Sequence, residues 1–143
     1  MKVLFVDAGN YCRSPAAEIV ARSMASRAGL VGWHFGSAGL KDKHVGDTAD
    51  PRSIEACAIR GYDLGAFRCR HITAQDFESF DLILAMDKDN QAQLEQLRPA
   101  GVKTPIQLFL DDREVPDPYY GGDDGFAVMM DLIESGVRKL MER

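Results

Sequence analysis

Four consecutive apolar residues, Val3-Leu4-Phe5-Val6, run directly into Asp7 and the turn Ala8-Gly9-Asn10-Tyr11-Cys12-Arg13, after which Ser14-Pro15 opens a helical pattern. An unbroken β-branched and aromatic run has no polar face to offer water, so it suits a strand covered on both sides in a parallel sheet. A parallel strand needs a crossover, and the next residues supply one. Ser14 reads as a helix N-cap with Pro15 at the first helical position, where a missing N–H costs nothing. Apolar residues at Ala17, Val20, Ala21, Met24 and Ala28 then keep helical spacing up to a stop at Gly29.

The same alternation continues. Trp33 to Phe35 reads as a second strand closed by Gly36-Ser37-Ala38-Gly39, and Asp50-Pro51 caps a helix to about Ile59, ended by Gly61. Phe80 to Met86, centred on Leu82-Ile83-Leu84, reads as a third strand, and Asp87 or Asp89 caps a helix through Leu97. Ile106 to Leu110 gives a fourth strand. From Phe126, the positions Met129, Leu132, Ile133, Val137, Leu140 and Met141 form one apolar stripe on a last helix. Strands alternating with helices predict an α/β fold: three α/β/α layers, a four-stranded parallel sheet and helices on both faces. Ligands of such sheets bind outside the carboxyl ends of the strands, where the turns after the first and fourth strands meet.

With 143 residues, 45% of them hydrophobic, the expectation is a single domain over residues 1–143. The formal net charge of −5 argues against nucleic acid or a membrane surface as partner, so any anion site must be local. Cys12, Cys57 and Cys69 have neither disulfide arithmetic nor metal-ligand spacing, so a reducing compartment is expected and no cysteine-held metal. The first apolar run is too short for a signal or membrane segment, and a cytoplasmic location is expected.

The turn after the first strand carries the chemistry. Between a strand end and a helix start, the backbone N–H groups of Ala8, Gly9, Asn10, Tyr11, Cys12, Arg13 and Ser14 can converge on one point, with the helix dipole behind them. Arg13 adds a planar fork able to hold two phosphate oxygens. Read locally, the segment serves equally as an ordinary turn with a surface arginine.

Longer comparison settles on one family. VLFVDAGNYCRSP, followed by Ser37-Ala38-Gly39, His44-Val45-Gly46, Ala49-Asp50-Pro51-Arg52, Asp76-Phe77, FDLILAMD at 80–87 and VPDPYYGG at 115–122, resembles the low-molecular-weight protein tyrosine phosphatases over nearly the whole chain. That family opens with a strand and Cys-x5-Arg-Ser-Pro; here Asp7 stands where the cysteine belongs. The resemblance implies a metal-independent phosphomonoesterase that needs no cofactor. A thiolate at position 7 would attack phosphorus, Arg13 and the loop amides would hold the oxygens, and Asp117 would protonate the leaving phenolate. Water would then hydrolyse the phosphocysteine. It further implies that Asn10, Ser14 and Ser37 brace the loop and that Tyr11, Lys43, Tyr119 and Tyr120 wall the pocket. The partners implied are a phosphorylated protein or a small aryl phosphate, with inorganic phosphate or sulfate as simpler ligands. From residue type alone Asp117 is equally a turn residue before Pro118, the bracing residues equally caps, and the aromatics equally packing.

Asp7 removes the nucleophile and puts a charge where a phosphate would sit. Like charges about 4 Å apart cost roughly 4 kcal/mol at an effective dielectric near 20, about a thousandfold in binding. Asp7 is therefore expected to act as a built-in anion, filling the amide nest and pairing with Arg13. Phe67 replaces a histidine common in the family, with His71 four residues on, and Lys43 replaces a wall aromatic. Cys12 matches the family's second loop cysteine and lacks the partner with which some members form a disulfide. Two classes of function follow: a phosphotyrosine phosphatase-type hydrolase, inactive or severely impaired, or a non-catalytic module that binds an anion or a protein. A magnesium-dependent aspartyl-phosphate enzyme would place a second Asp two residues after the first, where this chain has Gly9. The related arsenate reductases need a relay of cysteines, and beyond the loop this chain has only Cys57 and Cys69.

Overall fold

The computed structural model describes residues 1–122 and 124–142. Four strands, β1 (Lys2–Asp7), β2 (His34–Gly39), β3 (Leu82–Ala85) and β4 (Ile106–Leu108), form one parallel sheet in the order β2-β1-β3-β4. The chain passes from β1 to β2 on one side and later to β3 on the other, so the order reverses at β1. That is where a doubly wound sheet opens a crevice at its carboxyl edge, and Asp7 is the last residue of β1.

Val3, Leu4, Phe5 and Val6 are all fully buried, as a central strand requires. Val3 and Phe5 face α1 (Arg13–Arg27), α2 (Pro51–Ile59) and α5 (Asp124–Met141), while Leu4 and Val6 face the layer containing Phe77 and Leu94. Those two belong to α3 (Ala74–Ser79) and α4 (Lys88–Leu97). Each fully buried apolar side chain contributes roughly 1.5–3 kcal/mol, so the two cores fix the β1 register tightly. Phe5 stacks on Phe35 at 6.1 Å and meets Phe109 edge-on at 5.4 Å.

Several boundaries depart from the sequence reading. Helix α1 begins at Arg13 with Cys12 as its N-cap and no side-chain cap bond, two residues before the expected Ser14 cap. The Ser14 hydroxyl is turned to Asn10 instead, so tertiary bonding overrides the local capping preference. Gly36 to Gly39, expected to close β2, belong to the strand, because they pair with Leu4 to Asp7. Strand β4 ends at Leu108 rather than Leu110. Asp87, not Asp89, caps α4 through the Asn90 N–H at 2.7 Å. Helix α3 was not anticipated, although Thr73 and Asp76 close a reciprocal capping box around it. In α5 the stripe includes buried Met130, and Leu132 and Met141 are only half-buried.

Two glycines set close approaches. A Cβ at Gly39 would lie 2.7 Å from the Gly9 carbonyl carbon and 2.8 Å from the Asn10 nitrogen, so β2 touches the turn after β1 directly. A Cβ at Gly136 would lie 2.6 Å from the Phe109 ring, which lets α5 press on the segment leading from β4 towards Asp117. No described helix is long and apolar enough to cross a membrane.

Candidate active site

The turn from Asp7 to Ser14 curls around the Asp7 carboxylate. Oδ1 accepts the Asn10 N–H at 2.6 Å, and Oδ2 accepts those of Arg13 at 3.1 Å and Ser14 at 2.9 Å. The remaining amides of the turn, those of Ala8, Gly9, Tyr11 and Cys12, donate to no group of the chain among the described residues. All four residues line a cavity of about 230 Å³. Asp7 therefore fills three positions of the nest and leaves four, a narrower occupation than the expected filling of the whole.

The expected side-chain pairing of Asp7 with Arg13 is also corrected. The buried Arg13 guanidinium donates from Nη1 to Asp87 Oδ2 at 2.8 Å and to the Val115 carbonyl at 2.9 Å, and its Nη2 lies 3.7 Å from Asp117 Oδ2. Burial alone would lower the pKa of Arg13, but Asp7, Asp87 and Asp117 around it outweigh that and raise it. It stays a cation. Asp87 thus serves twice, capping α4 with one oxygen and aiming Arg13 with the other. Asp117 follows β4, half exposed over the cavity, where its Oδ1 accepts the Tyr119 N–H at 3.0 Å.

The turn is braced from below. Asn10 adopts φ 56°, a left-handed conformation that asparagine tolerates better than most residues. Its Nδ2 donates to Ser14 Oγ at 2.9 Å and Ser37 Oγ at 3.0 Å, and its Oδ1 accepts the Arg70 N–H at 2.8 Å. Ser37 in turn donates to Glu18 Oε1 at 2.7 Å. Burial raises the Glu18 carboxyl pKa, against the opposing pull of Ser37 and Arg22. The Arg70 backbone thus contributes to the bracing beside Phe67 and His71. His71 bonds the Leu40 carbonyl, and Phe67 packs on the core.

Around the mouth, Tyr11 stacks on His44 with ring centroids 3.7 Å apart and planes 2° from parallel. Tyr119 stands 6.1 Å from Tyr11, and Tyr120 packs edge-on against Tyr119 at 4.8 Å. Lys41 and Lys43 line the same cavity. Cys12 is buried with its thiol 3.6 Å from Asp50 Oδ2; burial and then the Asp50 charge push its pKa far up, so it remains a thiol.

Glu18, Lys41, His44, Asp50 and Asp87 belong to this constellation and were not singled out as site residues from sequence. Asp87 carried a helix-cap signal and Asp50 a cap-then-proline signal, but nothing local joined either to the turn. Among the described residues, no group of three or more His, Cys, Asp or Glu side chains is arranged to hold a metal ion.

Known proteins share the sequence and the fold of this chain. The family model for low molecular weight phosphotyrosine protein phosphatases matches residues 2–143. The chain is 44% identical to the slr0328 protein of Synechocystis over a 149-residue alignment, covering 99% of this chain and 94% of that one. It is 38% identical to the low molecular weight phosphotyrosine protein phosphatase of Schizosaccharomyces pombe, with 89% and 86% covered. A protein tyrosine phosphatase of Entamoeba histolytica, solved with Hepes in its active site, superposes with a TM-score of 0.93 at 38% identity, over 99% of this chain and 95% of that one. With the family model matched over nearly the whole chain and relatives alike in both sequence and fold, this chain belongs to the low molecular weight phosphotyrosine protein phosphatase family.

Proposed function

We propose that this chain recognises phosphorylated tyrosine, on a protein or as a small aryl phosphate, and that Asp7 leaves it inactive or severely impaired in hydrolysis. It acts as one domain over residues 1–143, without metal or cofactor. The observation that carries the reading is the Asp7 carboxylate, bonded to three amides at the position of the family's nucleophile. A carboxylate so held is a weak nucleophile, and its charge opposes a second anion.

Recognition survives because the rest of the constellation is intact. The open amides of Ala8, Gly9, Tyr11 and Cys12 and the Arg13 fork take the phosphate oxygens, and Asn10, Ser14 and Ser37 keep the turn in shape. Tyr11, Tyr119 and Tyr120 wall the aryl group, Lys43 stands at the rim, and Asp117 serves as the proton donor to a leaving oxygen, a role supported by its position on the cavity lining near Arg13. The Entamoeba relative carries Hepes in its active site, and Hepes bears a sulfonate, an oxyanion of the kind the open amides would take. Inorganic phosphate and sulfate are the simplest ligands of the site. Phenyl phosphate turnover and phenylphosphonate titration on the unaltered chain test both halves of the proposal: binding without turnover supports it, and turnover at rates ordinary for an enzyme overturns it.

A further inference from the structure

Arg52 lies outside the turn and lines no part of its cavity, yet it joins two sides of the site. Its Nε and Nη2 hold Asp50 Oδ1 at 3.1 Å and Oδ2 at 2.7 Å. Asp50 is itself tied to the turn: its N–H donates to the Tyr11 carbonyl at 2.9 Å, and its Oδ2 accepts the Cys12 thiol at 3.6 Å. The remaining arm of Arg52, Nη1, reaches the Tyr119 carbonyl at 3.3 Å. The guanidinium also lies over the Tyr119 ring at 5.3 Å and the Phe126 ring at 4.9 Å. One planar cation thus fastens the start of α2, the phosphate turn and the segment carrying Tyr119 and Asp117.

We propose that Arg52 is a positioning residue for aryl-ligand specificity: clamped to Asp50, it holds Tyr119 as the wall of the pocket, while the turn amides hold the phosphate without its help. The proposal rests on the phosphate-recognition reading above. Loss of a nearby cation weakens every dianion alike, whereas loss of a wall weakens only ligands with a ring to stack. Two ligands therefore separate the roles, and neither requires turnover.

The experiment is calorimetric titration of phenylphosphonate and of inorganic phosphate into the unaltered chain, Arg52→Ala, Arg52→Lys, Tyr119→Ala and the double variant Arg52→Ala with Tyr119→Ala. Arg52→Ala is expected to weaken phenylphosphonate by about fivefold to tenfold, the range of one hydrogen bond plus one exposed cation–π contact, and inorganic phosphate by less than about twofold. Arg52→Lys keeps the charge without the fork and should lose most of the same preference. The double variant should bind phenylphosphonate no worse than Tyr119→Ala, because the two residues act through one wall. Retained phosphate binding also reports that the turn is folded in each variant. Equal losses for the two ligands, or additive losses in the double variant, overturn the proposal. Binding of neither ligand by the unaltered chain overturns the phosphate reading itself, and the proposal with it.

Discussion

Asp7 holds Arg13 by its backbone and leaves its side chain to others: Asp7 Oδ2 accepts the Arg13 N–H at 3.1 Å, while the guanidinium donates to Asp87 at 2.8 Å. The carboxylate therefore neutralises part of the turn without consuming the fork that a phosphate would use. On the function proposed above, lost attack and retained grip are separable by mutation.

Asp7→Cys should raise aryl phosphate hydrolysis by about a thousandfold or more, since it restores a thiolate beside a helix N-terminus and an arginine. Added magnesium should change neither protein's rate. Steady-state assays of both forms check this, and a strong magnesium requirement would point instead to an aspartyl-phosphate route.

Asp7→Ala and Asp7→Ser should tighten inorganic phosphate binding without giving turnover. Removing a like charge about 4 Å away relieves up to roughly 4 kcal/mol. Four amides are already open and the charge of Arg13 compensates in part, so an increase of about tenfold to a hundredfold is expected. Titration at pH 7 reads it, and equal affinities would show that the Asp7 charge does not reach the bound anion.

The same Asp7→Ala change should cost stability. Three buried N–H groups, of Asn10, Arg13 and Ser14, lose their acceptor, and each unsatisfied donor costs about 1–3 kcal/mol unless water replaces the carboxylate. A loss of about 2–4 kcal/mol in urea unfolding is expected, largely recovered when phosphate is added.

Gly39→Ala should damage the site from the far side of the turn. The new methyl would meet Gly9 backbone at 2.7 Å, which only a shift of strand or turn can relieve. Phosphate affinity should fall by about tenfold or more, with unfolding about 1–3 kcal/mol easier. Unchanged affinity would mean that the turn keeps its shape without β2.

Acid should destabilise the fold through Asp76 and Asp50. Burial alone would raise Asp76, but the Arg70 guanidinium and the Thr73 backbone outweigh it and lower the pKa; in Asp50 the Arg52 side chain and backbone do the same. A depressed carboxylate contributes stability that is present above its unfolded value of about 3.9 and lost as pH falls through the lower folded value. Asp76→Asn should therefore flatten the pH dependence of unfolding below about pH 4, measurable by urea titration across that range.

The strand-and-helix alternation was legible because each element advertises itself locally: an apolar run at 3–6, a cap-then-proline at 50–51, a helical stripe from 126. Arg13 was singled out from local chemistry, as the fork that ends a strand-to-helix turn, whereas Asp117 was singled out only through the family's motif order. Local chemistry left Asp117 as a turn residue, and the β4 loop that brings it within 3.7 Å of Arg13 is a matter of tertiary placement. Asp87 and Arg52 were hidden for a related reason, since their local signals are helix starts and their second bonds cross 74 and 67 positions. Helix α3 was missed because it spans only Ala74–Ser79 and draws on capping and two buried side chains rather than on a periodic stripe.

The three described cysteines are all buried, and burial is the leading cause that raises each thiol, Cys69 to about 11, Cys57 to about 12 and Cys12 further still. Alkylating reagents attack thiolates, so the three buried thiols should react slowly with them near neutral pH. A cysteine introduced at position 7 would stand alone against that background. A fluorophore or crosslinker could then be attached at the base of the cavity lined by the turn without first removing any native cysteine.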